Sequence, residues 1–465
     1  MRRLIAVSLV VLLLSGCAVG PNYKRPSVDV PGTYRGASPQ ESAQPAAESL
    51  GDLKWWEVFQ DKQLQDLIHA ALQQNYDVRI AATRIMEAQA QVGITRADGL
   101  PTISAGAQTV DQRSARAKLF PAFATSAHQV DLSLAWDLDF WGKYRRANES
   151  ARANLLATEW AHEAVITTLV SDVAAAYFQL RELDLELEIA QRTLASRQDS
   201  LRITQMLANG GATSMLDVRQ AEQLVFTAAE TIPDLERRIE QQENFISTLL
   251  GNNPGPVARG TKLTEQPHMP EVPAGVPSSL LERRPDIRQA EAQLIAANAQ
   301  IGVAKADYFP QISLTANSGF QSSALTSLFT GPAGMWNFGG SLTQPIFAGG
   351  RIRSNVRFTE ARQQEAALVY QQTIQQAFRG VSDALVEYRK DREFREQQEQ
   401  LAFSAQDAAR LSETRYRGGA TSYLEVLTNE TNYFNSELGL AQARLNELLG
   451  LVRIYRNLGG GWQQP

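Results

Sequence analysis

The chain has 465 residues, of which 43% are hydrophobic, 20% charged and 8% aromatic. That much apolar content over that length buries a large core and excludes wholesale disorder. Forty-five Lys and Arg against 50 Asp and Glu give a net charge of −5, which excludes the basic footprint of a nucleic-acid binder. The single cysteine, Cys17, excludes an intrachain disulfide or a cysteine-based metal cluster. The four histidines, His69, His128, His162 and His268, have no metal-ligand spacing.

After residue 14 no apolar run reaches the ~18–20 residues of a transmembrane helix. Any crossing of a membrane must therefore use β-strands. At the N-terminus, Arg2 and Arg3 precede an apolar run from Leu4 to Leu14, followed by Leu14-Ser15-Gly16-Cys17. The pattern resembles a bacterial lipoprotein signal. It predicts a signal peptide over 1–16 and a covalent lipid, such as palmitate, on Cys17, with no other cofactor and no metal. The residue after the cysteine is Ala18 rather than Asp, which in that class of signal favours the outer membrane. Residues 17–61, with five prolines between 18 and 50, read as an extended lipidated arm.

The strongest signal is an internal repeat. Asp77-Val78-Arg79 matches Asp286-Ile287-Arg288, Gln91-Val92-Gly93-Ile94 matches Gln300-Ile301-Gly302-Val303, Asp98 matches Asp307 and Pro101 matches Pro310, all 209 residues apart. After one gap the offset is 208. Gly142-Lys143 then matches Gly350-Arg351, and Gly210-Gly211-Ala212-Thr213-Ser214 matches Gly418-Gly419-Ala420-Thr421-Ser422. The halves are 62–250 and 281–458. A connector over 251–280 holds six of the 19 prolines, and 459–465 form a tail.

Each half repeats one order of elements. A helical segment (62–98; 281–307) leads into two strands (100–113 and 127–140; 310–321 and 335–347). In the second strand Val130, Leu132, Leu134, Trp136, Leu138 and Phe140 alternate with Gln129, Asp131, Ser133, Ala135, Asp137 and Asp139, the period-2 pattern of a strand with one wet face. Lengths near ten residues fit a transmembrane barrel. Then come proline-free runs over 143–209 and 351–417, 67 residues each. As helices they would be about 100 Å long at ~1.5 Å per residue. Ile166, Val173, Leu180, Leu187, Leu194 and Leu201 repeat every seventh residue, the spacing of a coiled-coil seam. Both rods stop at Gly-Gly, and return helices follow over 214–250 and 422–458.

Four membrane-length strands cannot close a barrel, because the smallest known has eight, and lipid forbids open edges. A dimer gives eight strands with a filled interior. A trimer gives twelve, the smallest assembly that leaves a pore. The expected fold class is therefore mixed α and β: a trimeric, twelve-stranded barrel continuing into a long helical tunnel.

Phe140-Trp141-Gly142-Lys143-Tyr144-Arg145-Arg146, Leu281-Glu282-Arg283-Arg284-Pro285-Asp286-Ile287, Pro345-Ile346-Phe347-Ala348-Gly349-Gly350-Arg351, Arg415-Tyr416-Arg417-Gly418-Gly419 and Leu458-Gly459-Gly460-Gly461-Trp462 stand in that order. Together they resemble signatures of the TolC-like outer-membrane efflux channels, of the OprM/NodT lipoprotein type. The resemblance implies a homotrimer in outer-membrane lipid, forming the passive exit duct of a tripartite pump. The implied partners are a periplasmic adaptor (membrane fusion) protein and an energised inner-membrane efflux transporter. A chain without a GxxxxGK[ST] phosphate loop fits an external energy source.

The resemblance also implies a periplasmic gate at the hairpin turns. Asp217 and Glu425 fall on acidic aperture positions and Tyr416 on a gate tyrosine. A second acidic position is Thr428 here, and the gate arginine position is Thr421, leaving Arg415, Arg417 and Arg219 as substitutes. Carboxylate rings at a constriction favour cations. Ser214-x-x-Asp217 and Ser422-x-x-Glu425 also fit capping boxes that open the return helices. The two roles are compatible. The turn glycines Gly210, Gly211, Gly418 and Gly419 would meet the adaptor, or serve only as helix C-caps. Alternatives are an export duct for protein or metal cargo, for which six methionines and four histidines offer few soft ligands, and an envelope-bracing lipoprotein, which needs no barrel. No nucleophile elbow, metal spacing or phosphate loop points to an enzyme.

Overall fold

The computed structural model describes residues 18–36, 49–113, 115, 124–267 and 272–462. These form two compact units. One comprises Met1–Ser27, Arg84–Glu159 and Gln289–Gln371; the other comprises Val28–Thr83, Trp160–Arg288 and Gln372–Pro465. The main elements in chain order are α1 (Lys62–Gln74), α2 (Tyr76–Ala97), β1 (Thr102–Arg113), β2 (Ala124–Asp137), α3 (Lys143–Asn209), α4 (Met215–Leu249), α5 (Pro285–Ala306), β3 (Gln311–Ser322), β4 (Gly334–Thr343), α6 (Arg351–Arg417) and α7 (Tyr423–Asn457).

The first unit holds one antiparallel sheet in the order β1-β2-β3-β4, so β1 and β4 are its unpaired edges. Pairing puts Ile103 opposite Leu134, Leu134 opposite Ala316, and Ala316 opposite Phe338. Because side chains alternate between faces, this register gathers Ile103, Leu132, Leu134, Trp136, Leu314, Phe338 and Leu342 on one face. The other face is polar and cross-linked: Ser104 and Ser133 hydroxyls lie 2.9 Å apart, and Asn317 donates to Asp131 at 3.0 Å. Three strand bounds differ clearly from the periodicity. β2 starts at Ala124 rather than 127 and ends at Asp137 rather than 140, and β4 ends at Thr343 rather than 347. Past Thr343 the chain meets Pro345, which has no N–H to continue a ladder.

The arm residues 18–27 lie along this unit. The Val19 amide donates to the Trp141 carbonyl at 3.0 Å. Arg146 reaches the Val19 carbonyl at 3.3 Å and the Asn22 side chain at 2.7 Å, and Arg25 pairs with Glu291 at 2.6 Å. Gly302 is required where they meet: a Cβ there would lie 2.6 Å from the Val19 carbonyl oxygen.

The second unit is helical. Its core includes Trp55, Leu64, Ile68, Ile166, Tyr177, Leu180, Ile246 and Tyr455. Trp55 packs edge-on against Trp56 and His69, so both tryptophans are packing residues. Asp61 ties the proline-rich connector to this core. It caps α1 through the amides of Gln63 and Leu64, and accepts from Tyr177 (2.9 Å), the Thr261 amide (2.9 Å) and Gln266 (3.0 Å). Burial opposes its charge, but these hydrogen bonds outweigh burial and hold its pKa below the ordinary value.

Three readings of the sequence need correction. The segment 62–98 is two helices, broken at Asn75, whose side chain accepts from the amides of Asp77 and Val78 and donates to the Leu249 carbonyl. The segment 281–307 is likewise interrupted, because Pro285 starts α5 afresh after a single turn at Leu280–Arg283. The arm 17–61 is not extended throughout, since Leu50–Asp52 and Trp55–Val58 form short helical turns. The seven-residue seam of α3 has two rows. Ile166, Val173 and Leu180 are fully buried, and a second row three residues on, Leu169, Ala176, Leu183, Ala190, Arg197 and Thr204, is buried along the whole seam, whereas Leu187, Leu194 and Leu201 are half-buried. These are the two alternating rows of one heptad seam, three and four residues apart.

Candidate functional site

The turns that join α3 to α4 and α6 to α7 have the same backbone. The Ala212 amide bonds back to the Leu207 carbonyl at 2.8 Å, and the Ala420 amide to the Arg415 carbonyl at 2.9 Å, closing each helix with a Schellman turn. Gly211 and Gly419 have φ of +74° and +70°, with open space around each. Glycine is required there by conformation rather than by crowding. Gly210 and Gly418 have ordinary φ, so only one glycine of each pair is a left-handed cap.

The two return helices start differently. Ser214 caps α4 in a reciprocal box: its hydroxyl accepts the Asp217 amide at 3.3 Å and Asp217 accepts the Ser214 amide at 3.2 Å. The corresponding box on α7 does not form, because Ser422 makes no side-chain cap. Glu425 is one methylene longer than Asp217. Its carboxylate passes the cap to accept from the Thr421 hydroxyl and from Arg415 at 2.8 Å.

Side chains link the two hairpins. The Tyr416 hydroxyl donates to Thr213 at 3.4 Å, and Thr213 donates to Asp217. The Tyr416 ring packs at 5.2 Å against Tyr423, which is buried with Ala221 and Val426. Of the three candidate arginines, only Arg415 meets a candidate acid. Arg417 pairs with Glu413 and Arg219 with Glu222, each within its own helix. Thr428 donates to the Leu424 carbonyl one turn back.

One charged pair nearby gave no sequence signal. Arg197 on α3 is buried, with Nη1 donating to the Leu224 carbonyl at 2.9 Å and its guanidinium 5.0 Å over the Phe434 ring. Glu430 on α7 buries one carboxylate oxygen without a hydrogen-bond partner. Burial pushes its pKa up to about 7 against the opposing pull of Arg197, with a smaller upward push from Glu413. Both line a cavity of about 250 Å³. Their helices are more than 230 positions apart, so no local spacing reveals the pair.

Among the described residues no His, Cys, Asp or Glu group has the arrangement of a metal site, and no helix is long and apolar enough to cross a membrane. Cys17, the lipid-attachment expectation, lies outside the described residues, as does His268.

The family model for outer membrane efflux proteins matches residues 67–252 and 276–460. The chain belongs to the outer membrane efflux protein family. The two matched stretches follow the two repeats. The chain is 35% identical over 458 residues to the cation efflux system protein CusC of Escherichia coli O6:H1, covering 98% of each. It is 36% identical to the toluene efflux pump outer membrane protein TtgI of Pseudomonas putida, covering 97% of each. Solved channels share the fold. The open-state MtrE outer membrane channel of Neisseria gonorrhoeae superposes with a TM-score of 0.87 at 30% identity, covering 96% of this chain and 99% of that one. A CusC structure gives 0.86 at 32%, covering 96% and 100%. This efflux protein thus has the mixed α and β fold and outer-membrane setting of an efflux channel.

Proposed function

We propose that three copies of this chain close a twelve-stranded outer-membrane barrel and serve as the passive exit duct of a tripartite efflux pump. Solute would be delivered by a periplasmic adaptor and an inner-membrane transporter. The observation that carries this reading is the sheet: one apolar face, one hydrogen-bonded polar face and two unpaired edges. Such a sheet is stable in lipid only when its edges are closed by other copies, apolar face outward and polar face inward. The hairpin turns then serve as the periplasmic gate, held shut by Tyr416–Thr213–Asp217 and by Arg415–Glu425, with Gly211 and Gly419 shaping the surface offered to the adaptor. A lipid on Cys17 agrees with the arm, which fixes Val19 beside Trp141 at the foot of β2. Mass spectrometry of the mature protein should show an acyl mass that Cys17→Ser removes.

The deciding experiment is conductance in planar bilayers. Purified protein should give discrete, low-conductance steps. Folded protein that inserts and never conducts would return the chain to an envelope-bracing role. For cargo, TtgI is named for toluene and CusC for cations, and Asp217 and Glu425 at the turns suit cations. We favour small organic solutes, because six methionines and four histidines give a metal path few soft ligands. Growth of a deletion strain on toluene and on transition-metal salts separates the two: lost solvent tolerance alone supports the organic reading, and lost metal tolerance alone supports the cationic one.

A further inference from the structure

The repeat builds one contact inside the chain that its second copy cannot build there. Where β2 leaves the sheet it lies beside the start of β3, and the Leu138 amide still donates to the Ile312 carbonyl at 2.8 Å. Trp141 stacks on Phe309 with ring centroids 4.7 Å apart and donates its indole N–H to the Pro310 carbonyl at 2.8 Å. Lys143 pairs with Asp307 at 2.9 Å. Thus the exit of one hairpin clamps the corner that opens the next by an aromatic contact and an ion pair.

The repeat supplies the same parts again. Asp98, Leu100 and Pro101 stand where Asp307, Phe309 and Pro310 stand, 209 residues earlier, and Arg351 stands where Lys143 does. Phe347-Ala348-Gly349-Gly350-Arg351 takes the place of Phe140-Trp141-Gly142-Lys143, with one extra glycine. In one chain these two sets sit at opposite edges of the sheet, one before β1 and one after β4. Ile346 and Phe347 are accordingly bare, each 91% exposed, and Asp98 and Arg351 are both exposed. Beside the start of β1 an apolar cavity of about 380 Å³ is lined by Leu100, Trp136, Leu138, Phe140, Tyr144 and Arg145. The Trp136 indole is fixed there by donating to the Gly99 carbonyl at 3.1 Å.

We propose that the two edges complete each other between copies. Ile346 and Phe347 of one subunit fill the cavity beside Leu100 of the next, and Arg351 of one subunit pairs with Asp98 of the next. Strand direction permits this. The register places Thr102, Asp137, Gln311 and Thr343 toward one end of the sheet, so antiparallel pairing of β4 with a neighbour's β1 sets Thr343 near Thr102. The charges are complementary, and the contact continues the edge that barrel closure requires. The inference rests on the cyclic trimer proposed above and goes further, by naming the residues that lock each seam below the strands.

The test uses the full-length protein in detergent. Leu100→Cys with Phe347→Cys should, on mild oxidation, give covalent dimers and trimers on a non-reducing gel, while neither single variant does. Native mass spectrometry of the same samples reports the assembly independently. Trimers that form no interchain disulfide overturn the seam but leave the trimer standing; monomers throughout, wild type included, overturn both. A charge exchange guards against misfolding of the cysteine variants. Arg351→Glu and Asp98→Arg should each lower the temperature at which trimers dissociate, and the double variant should recover at least half of that loss. Losses that simply add would overturn the ion pair.

Discussion

Arg415 and Glu425 face each other across the turn that joins α6 to α7, guanidinium nitrogen to carboxylate oxygen at 2.8 Å. The side chains are 56% and 35% exposed, and a pair so wetted contributes only about 0–1 kcal/mol to stability. Its importance would lie in holding the turn. Arg415→Ala should therefore raise single-channel conductance several-fold in planar bilayers while leaving the melting temperature within a few degrees of wild type. Arg415→Lys should stay close to wild type in both. A large loss of melting temperature without any change in conductance would make the pair purely structural.

Thr213 receives the Tyr416 hydroxyl and passes a hydrogen bond to Asp217, so it couples the two hairpins. Thr213→Val removes both links, whereas Tyr416→Phe removes one and keeps the ring on Tyr423. Conductance should rise in both variants, more for Thr213→Val, and the double variant should not exceed Thr213→Val. Additive increases would show two independent ties.

The two caps should be unequal. Ser214→Ala removes a formed capping box and should cost about 1 kcal/mol. Ser422→Ala removes a side chain that caps nothing and should leave stability nearly unchanged. Denaturant titrations of the two variants side by side provide the check.

The glycine pairs should divide in the same way. Alanine at Gly211 or Gly419 must adopt a positive φ, costing about 1–2 kcal/mol, whereas alanine at Gly210 or Gly418 should cost well under half as much. Melting temperatures of the four single variants measure the difference. Equal losses within each pair would refute the assignment.

Glu430 predicts a pH dependence. Its pKa in the folded chain is pushed up to about 7 by burial, with Glu413 adding to the shift and Arg197 opposing it, while an unfolded glutamate titrates near ~4.3. The folded state therefore binds the proton more tightly. The stabilisation is fully present below about pH 4 and is lost as pH rises through about 7. Glu182, pushed up to about 8 by burial and by Glu186, acts in the same direction. The melting temperature should fall between pH 6 and pH 8.5, and Glu430→Gln should flatten that slope. An unchanged slope would remove Glu430 as its source.

The architecture was legible because its signals are local or periodic. The extents of α3 and α6 follow from proline-free runs bounded by glycine, and the sheet faces follow from alternation such as Leu132-Ser133-Leu134. Non-local geometry was not legible. Asn75 breaks a helix by reaching a carbonyl 174 residues away. Ser422 makes no side-chain cap, and the Glu425 carboxylate accepts from Thr421 and Arg415. Arg197 and Glu430 become neighbours only when α3 and α7 pack. At the turns, composition named the residues that meet, but only the fold selects Arg415 over Arg219 and Arg417.

All twelve residues of β1 are exposed in the single chain, which makes each subunit dependent on its neighbours' integrity. A chain with a damaged edge can still offer its intact edge and enter a ring that then fails to close. Where intact and damaged copies are made in equal amounts and mix at random, only about one ring in eight would be wholly intact. Lesions confined to the rim of this sheet should therefore be genetically dominant, while lesions that unfold the chain and remove it from the pool should be recessive.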